Sequence, residues 1–108
     1  VTEEPEIVAG FLKVTADMNA MWNAGDKKDV MLPVIAKDSG MDLADTEATI
    51  STFSFPSVDE QLSEKWLGGA AQTFMLGVAN VFVDAGSMEG ALDSYAAAVE
   101  TSPLAASK

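Results

Sequence analysis

The apolar residues at the start of the chain recur at the spacing of an α-helix. Five of them follow one another at intervals of four, three, four and three residues. They are Ile7, Phe11, Val14, Met18 and Met21. Side chains at this spacing share one face of a helix, whereas a half-buried strand requires strict alternation. The pattern therefore predicts an amphipathic helix over residues 5–22, with Thr2 as its N-cap and Gly25 just beyond its end.

Two further helices are predicted before residue 54. One runs from about Lys27 to Ser39, and Gly40 is its predicted C-cap. Because Pro33 is tolerated only near the first turn, we expect this helix to start near Asp29 or to kink at Pro33. Asp42 is the predicted N-cap of the next helix. Its predicted apolar side consists of Leu43, Ala44, Ile50 and Phe53.

The second half of the chain carries three more helix signals. Residues 57–60 read Ser-Val-Asp-Glu, a capping box, and predict a short helix that ends before Gly68. A longer helix is predicted from Ala70 to Ala85, with a buried stripe of Phe74, Val78, Val81, Phe82 and Ala85. A last helix is predicted from Glu89 to Thr101, and residues 104–108 are expected to fray.

No segment has the alternation or length of a convincing strand. We therefore predict an all-α fold of five to six helices, forming a single helical segment over residues 1–108. Because the chain begins with Val1 and not with Met, we expect a mature or excised segment.

The charge and the missing residue types exclude several functions. The chain has 17 acidic and 6 basic residues, for a net charge of −11. This charge argues against binding phosphate backbones or anionic lipid. Cysteine and histidine are absent, which excludes disulfides, thiolate chemistry and histidine bases. No apolar run approaches the ~20 residues of a membrane span. We therefore expect no enzyme activity, no cofactor and no bound metal.

The remaining motifs have structural explanations that we favour over functional ones. The pair of Asp42 and Asp45 could serve catalysis or bind a metal, but helix capping accounts for it. Gly68 and Gly69 precede a helix without the strand and lysine of a P-loop, so close backbone packing is favoured. The six methionines could form an adaptable partner surface, but their helical spacing favours a core. Trp22 and Trp66 are expected at half-buried edges of the core.

Three ordered segments resemble the C-terminal third of periplasmic substrate-binding proteins of the taurine, nitrate and sulfonate class, which serve ABC importers. The segments are EEPEIVAGFLKVTADMN (residues 3–19), FPSVDEQLSEKWLGG (residues 55–69) and VANVFVDAGSMEGALDSYAAAV (residues 78–99). The resemblance implies a bilobal α/β parent with the type II periplasmic-binding-protein fold, which closes on its solute by hinge motion.

The same resemblance implies a function and a location. The parent would be periplasmic and would bind a small organic anion or zwitterion, such as taurine or another sulfonate, for an ABC permease. Phe55, Gln61 and Trp66 lie on the segment that would flank the solute cleft, although an ordinary packed corner is the favoured alternative. Helices that pack on a sheet in the intact parent would expose an apolar face when that sheet is missing, and the fragment could then self-associate.

Two other interpretations stay open. The chain could be a free-standing helical module whose apolar faces bind a partner helix or a second copy. It could also belong to an enzyme of the thiamine-precursor type, which shares the same broad fold class. The missing histidine and cysteine weaken that option for this segment.

Overall fold

The computed structural model describes residues 3–108, and all of their regular secondary structure is helical. The helices are α1 (Pro5–Ala24), α2 (Lys28–Ser39), α3 (Leu43–Ile50), α4 (Val58–Leu62), α5 (Ala70–Asp84) and α6 (Ser102–Ala106), with a 3₁₀ turn at Ala96–Ala98. No strand occurs in the described residues. The predicted all-α fold with five to six helices is therefore confirmed. The predicted cap at Thr2 lies outside the described residues.

The chain divides into two units. One unit contains the residues up to Lys13 together with Val58–Lys108, and within it α4 packs against α6. The other unit is the continuous stretch Val14–Ser57, within which α2 packs against α3. The boundary between the units falls inside α1.

Glycines end α1 and α2 where the sequence predicts. Gly25 has a φ of 83°, and its amide donates to the carbonyls of Met21 and Trp22. Gly40 has a φ of 71°, and its amide donates to the carbonyls of Ala36 and Lys37. Residues other than glycine rarely adopt this left-handed backbone conformation, so glycine is favoured at both positions. The second helix begins at Lys28, one residue before the predicted Asp29, and Pro33 lies inside it.

Asp42 caps α3, as predicted. Its backbone is extended, and its Oδ1 accepts a hydrogen bond of 2.8 Å from the amide of Asp45. The bond satisfies one of the amides that lack a partner in the first turn of a helix. Capping therefore accounts for this carboxylate pair. Thr46, which is 3% exposed, donates its hydroxyl to the carbonyl of Asp42 over 2.7 Å.

We expect Asp42→Ala to reduce the free energy of unfolding by about 1 kcal/mol, because the amide of Asp45 then loses its acceptor. Asp42→Asn is the matched control, since asparagine caps helices about as well as aspartate. Urea denaturation followed by circular dichroism measures both variants. If Asp42→Asn lost as much stability as Asp42→Ala, the loss would reflect charge and not the cap.

The short helix α4 and the long helix α5 also occur where the sequence predicts them. The capping-box sequence is followed by α4 at Val58–Leu62, a short helix as expected. The long helix spans Ala70–Asp84, one residue shorter than predicted, and Gly86 follows it with a φ of 71°. At Gly68, an added Cβ would lie 2.8 Å from the carbonyl oxygens of Leu62 and Ser63. Close backbone packing therefore explains this glycine, as the sequence suggests.

The prediction of a last helix from Glu89 to Thr101 is wrong. Most of this segment is irregular, with the 3₁₀ turn at Ala96–Ala98 in its second half. Side chains bond backbone amides within this segment and just after it. Ser94 Oγ accepts from the amide of Ala96, and Glu100 Oε1 accepts from the amide of Ser102. Such local bonds compete with helix formation. The bonds from the hydroxyl and the amide of Ser102 lower the pKa of the exposed Glu100 carboxyl.

The expected fraying of residues 104–108 is also wrong. Pro103 occupies the first turn of α6, where its missing amide costs nothing. Leu104 is 7% exposed and Ser107 is 4% exposed. The Ser107 hydroxyl donates to the carbonyl of Leu104 over 2.7 Å, and Lys108 forms an ion pair with Asp59 of α4. The contact with α4 therefore orders the end of the chain.

The predicted core is wrong for the large apolar side chains. The residues buried among 3–108 are mostly small; they are Ala36, Thr46, Ala79, Pro103, Leu104 and Ser107. The predicted stripe of α5 is exposed instead; its members Phe74, Val78, Val81 and Phe82 are 72, 37, 65 and 49% exposed. Ala85, the last of that stripe, is exposed as well. The apolar face is present, but nothing in residues 3–108 covers it.

The same correction applies to other predicted core positions. On α1, Ile7, Phe11, Val14, Met18 and Met21 are 67, 72, 63, 45 and 39% exposed. On and after α3, Leu43 is 51% and Phe53 61% exposed. Most methionines are exposed too, and Met31 is half-buried.

None of the helices in residues 3–108 has both the length and the hydropathy needed to cross a bilayer.

Candidate functional site

Two neighbouring cavities border Phe55 inside the unit Val14–Ser57. The first, which we call the apolar cleft, has a volume of about 460 Å³. It is lined by Met18, Asn19, Met21, Trp22, Val30, Met31, Val34, Ile35, Ile50 and Phe55. All but one of these residues are apolar, so the cleft offers a surface for apolar groups.

Helix geometry brings the walls of the apolar cleft together. Met18, Met21 and Trp22 stand three and four residues apart on α1, so their side chains share a face. Val30, Val34 and Met31 have the same relation on α2. The tight turn at Gly25 between the two helices lets both faces line one cleft.

The second cavity, which we call the polar cavity, has a volume of about 290 Å³. It is lined by Trp22, Asn23, Lys28, Leu32, Glu47, Ile50, Ser51, Phe53 and Phe55. Trp22, Ile50 and Phe55 also line the apolar cleft. The polar cavity differs because it adds an ammonium group, a carboxylate, an amide and a hydroxyl.

Three contacts hold the walls of the polar cavity. The Nδ2 of Asn23 donates a 2.7 Å hydrogen bond to the carbonyl of Phe55. The rings of Phe53 and Phe55 meet edge to face, with centroids 6.4 Å apart. The Nζ of Lys28 lies 5.0 Å from the centroid of the Trp22 ring, a cation–π contact. These contacts place a charge and three aromatic rings around one space.

The three predicted site residues fall in two units: Phe55 lies in the unit Val14–Ser57, and Gln61 and Trp66 lie in the other. Phe55 is half-buried and lines both cavities. Gln61 is a half-buried residue of α4. Trp66 is 39% exposed and lies in the turn before α5. The Nζ of Lys65 lies 5.8 Å from the centroid of the Trp66 ring. Neither Gln61 nor Trp66 lines the apolar cleft or the polar cavity. The binding role of all three residues stays a prediction.

Sequence reasoning missed the polar residues of the polar cavity. Lys28 and Glu47 were not singled out. They lie 19 residues apart on α2 and α3, and no local spacing signals their approach. One sequence feature could have indicated Lys28: it follows the turn at Gly25, just after a helix end that carries Trp22.

The carboxylates of the chain do not gather into a metal site. Among residues 3–108, no three of the potential ligand side chains Asp, Glu, His and Cys come close enough together to hold an ion. The acidic pair at the start of α4 has other partners, since Asp59 pairs with Lys108 and Glu60 lies 3.4 Å from Lys65 Nζ.

Comparison of the chain with protein-family models, with curated proteins and with solved structures gave no match.

Proposed function

We propose that this chain is the C-terminal helical portion of the solute-binding component of an ABC importer, which carries taurine or another small sulfonate. The component acts in the periplasm and delivers its solute to a membrane permease. The observation that carries the proposal is the exposed apolar face of α5, together with the order of the three resembling sequence segments.

The composition of α5 supports this proposal. Its 15 residues carry a single charged side chain, Asp84, and its apolar stripe is open to solvent. A helix that is apolar on most sides belongs in the interior of a larger fold. Phe74, at 72% exposed, and Val81, at 65% exposed, are positioned to pack on structure contributed by another part of the parent protein.

The exposed apolar face of α1 is the second supporting feature. Phe11 is 72% and Ile7 67% exposed on the same helix side. A free-standing helical module, the alternative function, calls for a monomer whose apolar faces are covered apart from its binding groove. The exposed surface on both α1 and α5 therefore favours a missing sheet over a self-sufficient module.

The proposal is tested first on the gene. We expect the reading frame upstream of Val1 to encode a secretion signal and alternating βαβ patterns. The intact protein should then bind taurine in titration calorimetry, and ethanesulfonate should report whether the sulfonate alone suffices. An upstream sequence without βαβ patterns would contradict the importer, and a flat titration for every sulfonate would contradict the solute class.

Light scattering separates the alternative from the proposal. The isolated chain should self-associate if its apolar faces lack their natural cover. A stable monomer that binds a partner helix at the apolar cleft would instead favour the interaction module.

A further inference from the structure

The polar cavity is lined by two exposed residues of opposite charge. Lys28 lines it from α2 and Glu47 lines it from α3. The two side chains form no ion pair with each other in the described chain, where the ion pairs include Lys65 with Glu60 and Lys108 with Asp59. Two residues of opposite charge that line one cavity without pairing with each other can each receive a ligand group of opposite charge.

The charges select among ligand classes. A purely anionic ligand would meet Glu47 and a chain of net charge −11, whereas a purely cationic ligand would meet Lys28. A ligand that carries both charges satisfies both side chains. The volume of about 290 Å³ lies at the small end of the range for ligand cavities, which indicates a ligand of few atoms.

We propose that the polar cavity binds a small zwitterion, with the acidic group of the ligand at Lys28 and its ammonium group at Glu47. The acidic group is a carboxylate or a sulfonate. The inference deepens the proposed function and rests on it for the choice of taurine as the first probe.

The aromatic walls suit the ammonium end and the apolar body of such a ligand. Phe53 and Phe55 meet edge to face, and Trp22 forms a further wall. Aromatic rings attract cations and cover methylene groups. The 2.7 Å bond from Asn23 fixes the backbone at Phe55, so part of the wall is held in place before a ligand enters.

Titration calorimetry on the full-length protein tests the inference. Three probes separate the charges: taurine carries both, ethanesulfonate lacks the amine, and ethylammonium lacks the acid. β-Alanine, a carboxylate zwitterion, tests the choice of acidic group. We expect taurine or β-alanine to bind at least tenfold more tightly than either singly charged probe.

Two variants tie binding to the cavity. Lys28→Met and Glu47→Gln should each weaken zwitterion binding at least tenfold, because each removes one charge partner. Lys37→Met and Asp38→Asn are matched controls on α2, since neither residue lines the cavity, and they should leave the affinity unchanged. Lys28→Met also removes the contact with Trp22, so circular dichroism checks that this variant still folds. Glu47→Gln leaves that contact in place and is therefore an independent test of the cavity.

The outcomes separate this inference from the proposed function. Tight taurine binding that survives both Lys28→Met and Glu47→Gln overturns the cavity as the zwitterion site and leaves the importer in place. Binding of β-alanine but not taurine, lost in both variants, supports the cavity and contradicts the sulfonate importer. No binding of any zwitterion overturns the inference outright.

Discussion

Leu104→Ala should lower the free energy of unfolding by about 2–3 kcal/mol, the low end of the range for buried leucines. Leu104 is 7% exposed in α6, which packs against α4. Truncation removes buried methyl groups and leaves a void, although a five-residue helix can shift to fill part of it. A loss of this size is a large share of the roughly 5–15 kcal/mol that stabilises a typical domain.

The control for this variant is Leu92→Ala. Leu92 is 64% exposed in the irregular segment between α5 and the 3₁₀ turn, so its truncation should change stability by less than about 0.5 kcal/mol. Urea denaturation midpoints measure both variants. If Leu104→Ala lowered the free energy of unfolding no more than Leu92→Ala, α6 would not pack against α4. The C-terminal residues would then fray, as the sequence alone suggests.

Gly68→Ala should destabilise the turn between α4 and α5 by about 1–3 kcal/mol, the usual cost of forcing an extra carbon into occupied space. The new Cβ would lie 2.8 Å from the carbonyl oxygens of Leu62 and Ser63. These atoms belong to the backbone, so they cannot rotate away as a flexible side chain could. The amide of Gly68 also donates a 2.9 Å bond to Ser63, and this bond would have to lengthen.

Gly77→Ala is the matched control, and it should raise the stability that Gly68→Ala lowers. Gly77 lies in the middle of α5, and a Cβ there would meet nothing within 4 Å. Alanine is the better helix former, so this variant should gain about 0.5–1 kcal/mol. Thermal unfolding of both variants tests the pair. A stabilised Gly68→Ala protein would show that the turn is not packed as closely as the structure indicates.

The sequence predicted the helix boundaries best where a single residue determines the local backbone. Gly25, Gly40 and Gly86 follow helices in left-handed conformations, and Asp42 begins one through its own side chain. These are interactions between near neighbours, and the residue types that favour them are few. Such signals can be read without knowing the rest of the fold.

The last predicted helix failed because local competition was ignored. Residues 89–101 have apolar residues at helical spacing, but Ser94 and Glu100 bond nearby amides, and the Tyr95 hydroxyl accepts from the amide of Leu92 over 3.5 Å. The spacing of apolar residues predicts which side chains would share a face if a helix formed. It does not record the alternatives available to the backbone.

Burial could not be predicted from the apolar stripes for a related reason. The spacing of Phe74, Val78 and Val81 places them on one side of α5, but it contains no information about whether a partner covers that side. The polar cavity was missed because Lys28 and Glu47 come to line one cavity only through the packing of α2 on α3. Only Phe55, among the predicted site residues, lies where that packing forms a cavity.

The division of α1 between the two units has a consequence for folding on the ribosome. Residues 14–57 form one continuous stretch and can make their mutual contacts as soon as they emerge. The residues before Val14 belong with partners from Val58 onward, so they must wait for about 50 more residues to be translated, roughly 3–10 s at typical rates of synthesis. Completion of that unit still leaves Ile7 and Phe11 67 and 72% exposed, so the order of synthesis decides when their part of the helix packs and not whether these two side chains are covered.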